Sequence, residues 1–216
     1  MEDRILLDRV GSTLEGPKPV TKGSLDMSDM LEKLYKVGDI GDRLALKDRF
    51  PVHTDSISSS KQPISVYGVF DGHAGALAST YACNWFSSYL NGQKTFHSNL
   101  PEALRSTFVT IDKDFLSTGN EDGTTACVCV VVGGKRVVCA NAGDSRAIIV
   151  KRDGSFVSLS KDHKPDSPEE TRRITALGGR ILYSGRWRVE GYVLYCVHVH
   201  SALTWISLSH ISLSVS

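Results

Sequence analysis

Three consecutive residues of different chemistry, Asp71, Gly72 and His73, end the apolar run PISVYGVF at residues 63–70. A strand that stops in this way holds a carboxylate at the edge of a sheet, and the glycine lets a ligand approach the backbone closely. Hard cations such as Mg²⁺ and Mn²⁺ prefer carboxylate, carbonyl and water oxygens, which Asp71 and the Gly72 carbonyl could supply. The imidazole of His73 fits a proton donor or acceptor better than a further ligand. Taken alone, the tripeptide could equally be an ordinary turn.

Three further segments place polar residues at predicted strand ends. Asp144 lies in NAGDSRAI, residues 141–148, where an Asx turn is the alternative interpretation. DGTTA, residues 122–126, opens a strand with two hydroxyl side chains. KDHKPD, residues 161–166, has the composition of a metal cluster, but a solvated loop before a helix is the simpler interpretation. Each segment by itself is a weak signal.

The composition indicates one globular domain inside the cell. The chain has 216 residues, of which 41% are hydrophobic, and its net charge of +1 gives no general attraction to nucleic acid or anionic lipid. The five cysteines show no zinc-binding spacing, so we interpret them as free thiols in a reducing compartment. The opening MEDRILLDRV has no apolar core of a signal peptide. We expect a monomeric cytoplasmic or nuclear protein without nucleic-acid or membrane partners.

The period of the hydrophobic pattern changes along the chain. Apolar residues at helical spacing predict one helix after Gly75 and a second from Pro101 to before Gly119. Four short apolar runs follow, the first two joined by a two-residue turn at Gly133–Gly134, and they predict an antiparallel meander. Ser167 as N-cap of SPEETRRITALGG, with a capping box, predicts a last helix. Paired helices followed by consecutive strands predict an α+β fold.

Taken in order, these motifs resemble one known family. VFDGHAG, DGTTA, ANAGDSRAII and LSKDHKP, followed by a capped helix that ends in ALGGRI, occupy residues 63–191 almost continuously. They resemble the metal-dependent protein serine/threonine phosphatases of type 2C, the PPM family. The resemblance implies an antiparallel β-sandwich flanked by helix pairs, here incomplete at the C-terminus. It also implies phosphoserine and phosphothreonine proteins as substrates, and a site for two Mg²⁺ or Mn²⁺ ions with room for an accessory third.

The resemblance also implies a role for each site residue. Asp71 would be the carboxylate that bridges the metals, and Gly72 would contribute its carbonyl. His73 would protonate the leaving alkoxide, so that Asp71 and His73 form the catalytic pair. Asp144 would lie near the accessory metal, and the two threonines of DGTTA would pack near the site. Two cations about 3.5–4 Å apart lower the pKa of a bound water and offset the charge of the phosphate.

The N-terminus matches the family with one large difference. The family carries an acidic pair in a MED motif before the DGH strand, and this chain begins Met1–Glu2–Asp3. We predict Glu2 and Asp3 as metal ligands or water-holding groups, with residues 11–62 as an insertion loop. Ordinary exposed acidic residues at an N-terminus are the alternative. The partial phosphatase domain would then span residues 1–191.

Residues 192–216 depart from the family pattern. This segment contains no Asp, Glu, Lys or Arg, and the family's DGxWD and DN motifs, each of which supplies a metal-binding aspartate, do not occur in the sequence. The segment could be a membrane anchor, a genuine terminus packed on the sheet, or translated non-coding sequence, which we favour. We expect unpaired sheet edges, weak metal binding and little turnover from this truncated chain. A non-catalytic fragment that binds phosphoproteins is therefore the alternative function.

Overall fold

The computed structural model describes the backbone of residues 4–8, 48–49, 52–53, 64–151, 154–189 and 207–212, and the side chains of residues 64–151, 154–189 and 208–209. In chain order the elements of these ranges are β1 (Arg4–Asp8), β2 (Asp48–Arg49), β3 (Val52–His53), β4 (Ile64–His73), α1 (Leu77–Asn91), α2 (Leu100–Leu116), β5 (Gly123–Thr124), β6 (Ala126–Val132), β7 (Arg136–Ala142), β8 (Arg146–Val150), β9 (Phe156–Ser158), α3 (Pro168–Ala176), β10 (Ile181–Tyr183), β11 (Trp187–Val189) and β12 (Ser207–Ser212).

The larger sheet is antiparallel and is built around β4. Its strands follow the order β12-β7-β6-β4-β2, and β3 and β5 also pair with β4. The valine-rich runs of β6 and β7 suit this position, because β-branched side chains pack well on a pleated surface. Within the predicted insertion of residues 11–62, strands β2 and β3 belong to this sheet, while its other residues lie outside the described ranges.

A smaller antiparallel sheet, in the order β1-β8-β9, packs against one face of the larger sheet. The core between the two sheets is formed by buried residues from both of them, namely Tyr67, Cys127, Cys129, Val131, Val137, Cys139, Ala147, Ile149 and Leu159. The three cysteines among these residues are free thiols, as predicted. Face-to-face packing of two sheets over such a core is the arrangement of a β-sandwich.

The opposite face of the larger sheet is covered by α1 and α2. Phe86 of α1 lies between Phe70 of β4 and Phe108 of α2, with ring centroids 5.8 Å and 5.4 Å apart respectively. All three rings are buried, as are Leu90 and Leu104 on the facing sides of the two helices. The predicted α+β class with an antiparallel sandwich and a helix pair on its face is therefore confirmed.

The predicted turns and helix starts also form. Gly133 and Gly134 both have positive φ, and the Lys135 N–H donates to the Val132 carbonyl, which closes the expected two-residue turn. The Ser167 side chain accepts a hydrogen bond from the Glu170 N–H at the start of α3. In a complete capping box the Glu170 carboxylate would also accept a hydrogen bond from the Ser167 N–H. Here that carboxylate accepts from the Arg173 guanidinium.

Part of the uncharged tail forms an edge strand of the larger sheet. β12 pairs antiparallel with β7 from Ser207 opposite Asn141 to Ser212 opposite Arg136. Leu208 packs against the helix-side core, and the Ser209 hydroxyl donates to the Leu159 carbonyl. The expectation of unpaired sheet edges is therefore wrong at β7, since β12 pairs with this strand from Arg136 to Asn141. Residues 190–206 lie outside the described ranges, and no helix that the structure describes is long and apolar enough to cross a membrane.

Candidate active site

The end of β4 holds the three motif residues in a fixed backbone frame. Gly72 is paired with Thr124, and His73 is paired with Gly123, because β5 runs antiparallel to the last two residues of β4. The preceding residue, Asp71, donates its N–H to Thr125 Oγ1 at 3.1 Å, and its carbonyl accepts from the Thr125 N–H at 3.0 Å. The DGH and DGTTA motifs are thus joined by both backbone and side-chain hydrogen bonds.

Thr125 extends this frame to the third motif. Its hydroxyl lies 2.6 Å from the hydroxyl of Ser145, the residue after Asp144. Both side chains are buried, Ser145 with 1% and Thr125 with 3% of its surface exposed. Since a hydrogen bond between buried hydroxyls is costly to leave unmade, it fixes the loop that carries Asp144 against the end of β4.

His163 fixes the same loop from its other side. The backbone N–H of Gly143 donates to the ring nitrogen Nδ1 of His163 at 3.2 Å. The backbone N–H of His163 donates in return to the Gly143 carbonyl at 3.0 Å. Burial lowers the pKa of His163, which keeps the imidazole neutral and Nδ1 able to accept. The amide of Asn141 donates to the same Gly143 carbonyl. His163 therefore supports the loop of Asp144, whereas the sequence suggested a solvated loop at this position.

The environment of Asp144 disfavours the charged form of its carboxyl group. Burial raises its pKa above the ordinary value, the charge of Lys164 lowers it, and the charges of Asp162 and Asp71 raise it. Asp162 in turn accepts a bidentate pair of bonds from the Arg146 guanidinium, at 3.0 Å and 2.7 Å. The negative charges of Asp162 and Asp71 therefore make ionisation of the buried Asp144 carboxyl less favourable, and a nearby positive charge would offset this effect.

His73 packs tightly against β5. A Cβ atom placed on Gly123 would lie 2.4 Å from His73 Nε2, which is far inside the contact distance of two atoms. Glycine at this position is therefore required by the imidazole and not by the backbone conformation. The sequence showed the glycine of DGTTA but gave no sign that its role is to make room for His73.

The loop that follows His73 is held by Asp122. Asp122 Oδ2 accepts from the N–H groups of Leu77 and Ala78 in the first turn of α1, a helix whose own N-cap residue makes no side-chain bond. A carboxylate at this point also interacts favourably with the helix dipole. Gly75 lies against the same side chain, since a Cβ atom there would be 2.8 Å from Asp122 Cβ and Oδ2. Sequence reasoning missed Asp122 because its partner is 45 residues away.

The donors predicted within the described residues have the chemistry that a hard divalent cation prefers. Asp71, the Gly72 carbonyl and Asp144 are oxygen donors of the kind that Mg²⁺ and Mn²⁺ prefer. The described side chains include no group of three or more His, Cys, Asp and Glu residues placed to hold a metal. Glu2 and Asp3 lie outside the described residues, and the next strand, β1, places its first residue, Arg4, opposite Val150.

Comparison with known proteins gives the same family from independent relatives. The model of the family "Protein phosphatase 2C" matches residues 42–196. The chain is 38% identical over 176 residues to "Probable protein phosphatase 2C 45" of Oryza sativa subsp. japonica, covering 80% of this chain and 61% of that protein. It is 35% identical over 178 residues to "Probable protein phosphatase 2C 59" of Arabidopsis thaliana, covering 80% of this chain and 55% of that protein.

Solved structures agree on the fold. A serine-threonine phosphatase 2C from Toxoplasma gondii superposes with a TM-score of 0.65 at 20% identity, covering 82% of this chain and 72% of that one. A C. elegans sex determining protein superposes with a TM-score of 0.68 at 24% identity, covering 81% of this chain and 47% of that one. The chain spans about 61% and 55% of the length of the rice and Arabidopsis relatives. Because the family model matches residues 42–196, which are more than half of the sequence, the chain belongs to the protein phosphatase 2C family.

Proposed function

We propose that this protein hydrolyses phosphoserine and phosphothreonine in proteins, with Mg²⁺ or Mn²⁺ as cofactor. The observation that carries the proposal is the convergence of the DGH, DGTTA and GDSR motifs on one site through Thr125. The membership of the family supports the same reaction. Asp71, the Gly72 carbonyl and Asp144 would hold the metal ions, with Glu2 and Asp3 as proposed further donors.

When bound, two metal ions would supply a water of lowered pKa and offset the charge of the phosphate. In the overall reaction the water gives up one proton and its oxygen bonds to phosphorus, and the bond between phosphorus and the seryl or threonyl oxygen breaks. That oxygen leaves as an alkoxide and takes a proton, which we assign to His73. The close contact between His73 and Gly123 supports this role, since it limits the positions that the imidazole can adopt.

The test is phosphate release from a phosphothreonine peptide by the purified chain, with and without Mn²⁺. We expect slow, Mn²⁺-dependent release that falls about 100-fold or more in His73→Ala, the size of a general-acid contribution. His97→Ala, which changes an exposed histidine in the connection between α1 and α2, is the matched control and should keep its activity. Glu2→Gln and Asp3→Asn should weaken Mn²⁺ binding if these residues are ligands. Equal release with and without metal would contradict the proposal.

The alternative function is phosphoprotein binding without turnover. It is favoured by the small number of metal donors that the described residues bring together. Folded protein that binds the phosphopeptide in the presence of Mn²⁺ but releases no phosphate would support it. Folded protein that neither binds nor hydrolyses the peptide would contradict both functions.

A further inference from the structure

Asp112, on α2, is a buried acid that the phosphatase assignment does not use. Only 3% of its surface is exposed, and burial raises its pKa to about 7. Its neighbour on the helix, Asp114, by contrast accepts a hydrogen bond from Tyr89 at 2.5 Å. A buried carboxyl group without a hydrogen-bond partner among the described residues destabilises the fold, so its presence in a core calls for an explanation.

The Asp112 side chain lines a cavity between the helix pair and the larger sheet. Most of the lining is apolar, with Phe70, Phe86 and Phe108 among the contributing residues. The polar side chains that line it are Asp112, Asp122 and Thr124. The free space is about 30 Å³, and because one water centre requires about 10–15 Å³, it can hold about two water molecules.

We propose that this cavity is a hydration site in which one or two buried water molecules bridge Asp112 to Asp122 and Thr124, which makes Asp112 a positioning residue for β5. An entirely apolar cavity stays dry, but a buried water is stable where it finds two to four polar partners, and three polar side chains are among the residues that line this cavity. Thr124 Oγ1 already donates to the Thr125 carbonyl at 2.8 Å, so it faces a water as an acceptor. A bridging water would therefore donate its two O–H groups to carboxyl oxygens of Asp112 or Asp122 and to the hydroxyl oxygen of Thr124.

The bridge would reach the proposed active site through β5. This strand is two residues long and is paired on its other side with Gly72 and His73. Since a Cβ atom on Gly123 would lie 2.4 Å from His73 Nε2, β5 is in close contact with the imidazole, and a shift of β5 towards the ring would displace it. The neighbouring Thr125 N–H donates to the Asp71 carbonyl at 3.0 Å, so its hydrogen exchange reports on the same strand.

Two variants and one structure test the inference, and none of the measurements requires turnover. Asp112→Asn keeps groups that bind water, and we expect exchange of the Thr125 amide within about threefold of the parent. Asp112→Leu replaces them with an apolar side chain, and we expect at least tenfold faster exchange and a shifted ¹⁵N resonance of the His73 imidazole. Ile111→Val, a conservative apolar change at the same cavity, is the control and should leave both signals unchanged.

A high-resolution crystal structure of the unchanged protein supplies the second readout. Ordered water within hydrogen-bond distance of Asp112 and of Asp122 or Thr124 is expected. A dry cavity would overturn the inference whatever the variants do, including the case in which Asp112→Leu does not fold. Ordered water together with unchanged exchange and an unchanged His73 resonance in Asp112→Leu would overturn the positioning role. The result stands apart from the phosphatase proposal, because a chain without activity gives the same readouts.

Discussion

The hydroxyl of Thr125 lies 2.6 Å from that of Ser145 and accepts a hydrogen bond from the Asp71 N–H at 3.1 Å. Through this single side chain, the strand end that carries Asp71 and the loop that carries Asp144 are held together. The three motifs are far apart in the sequence: Thr125 follows Asp71 by 54 positions, and Ser145 follows Thr125 by 20 positions. The junction is therefore a point at which stability and site geometry depend on one hydroxyl group.

Thr125→Val should remove this junction while keeping the shape of the side chain. The Asp71 N–H and the Ser145 hydroxyl would each lose a partner in a buried setting, so we expect a loss of about 2–3 kcal/mol in the free energy of unfolding. Urea denaturation measures the change. Ser145→Ala should cost less, and the double variant should cost less than the sum of the two, because both changes remove the same bond. Strictly additive losses would show that the two hydroxyls act independently.

Gly123→Ala should displace His73. The added Cβ atom would lie 2.4 Å from His73 Nε2, so the imidazole must move or β5 must shift. We expect phosphate release to fall about 100-fold, the loss expected when a general acid is misplaced, together with a changed NMR resonance of the His73 ring. Gly92→Ala, at a glycine with φ of −73° and no contact closer than 3.5 Å, is the control and should keep both. Normal resonance and activity in Gly123→Ala would contradict the packing argument.

The sequence predicted those parts of the fold and site that local patterns encode. The helix pair, the two-glycine turn and the Ser167 cap follow from short-range periodicity and turn chemistry, and the motif residues 71–73 and 144 stood at strand ends. The support provided by Asp122 and His163 could not be predicted, because each acts on a segment many residues away. Packing of the tail on the sheet was one of three alternatives and not the favoured one, and the pairing of β12 with β7 could not be predicted, since the register of an edge strand depends on the open edge that it meets.

Ala74→Gly should stabilise the protein. Ala74 is a non-glycine residue with a φ of +59°, a conformation that costs about 1–2 kcal/mol for a residue with a Cβ atom. Glycine removes that strain but adds entropy to the unfolded chain, so we expect a net gain of about 0.5–1 kcal/mol in calorimetry or urea denaturation. Gly154→Ala is the opposite change at a residue with a φ of +83°. No atom lies near the Cβ position, so only the backbone conformation opposes the alanine, and this variant should lose stability. A gain in both variants would contradict the argument from φ.

Deletion of residues 207–216 should uncover the edge of β7. Pairing between β7 and β12 would be lost from Arg136 to Asn141, and the packing of Leu208 on the core would go with it. We expect a lower melting temperature and concentration-dependent association, because an unpaired strand edge is a template for other chains. Ser209→Ala, which removes only the side-chain bond to the Leu159 carbonyl, should cost about 1 kcal/mol and cause no concentration-dependent association. An unchanged melting temperature in the deletion would show that β12 does not stabilise the sheet.

Asp112 should make the protein less stable as the pH rises towards neutrality. Its pKa is raised from 3.8 to about 7 in the folded state by burial, so between these values the folded protein binds a proton that the unfolded chain has released. Stability from this group is therefore complete below about pH 4, falls as the pH rises through 7, and is constant above that value. A shift of this size corresponds to about 4 kcal/mol.

Asp112→Asn removes the titration, so urea denaturation at pH 5, 6, 7 and 8 should show a variant whose advantage over the parent grows with pH. We expect the advantage at pH 8 to exceed that at pH 5 by at least about 1 kcal/mol, since the parent loses stability through Asp112 as the pH rises to about 7, whereas the desolvation cost of the buried amide is the same at both pH values. The lowered pKa of His163 acts in the opposite direction, through loss of stability as the pH falls below 6.5, but it is common to both proteins and cancels in the comparison. Asp166→Asn, at an exposed carboxylate, controls for the change in net charge. A difference between parent and Asp112→Asn that is constant from pH 5 to pH 8 would show that Asp112 does not titrate in this range.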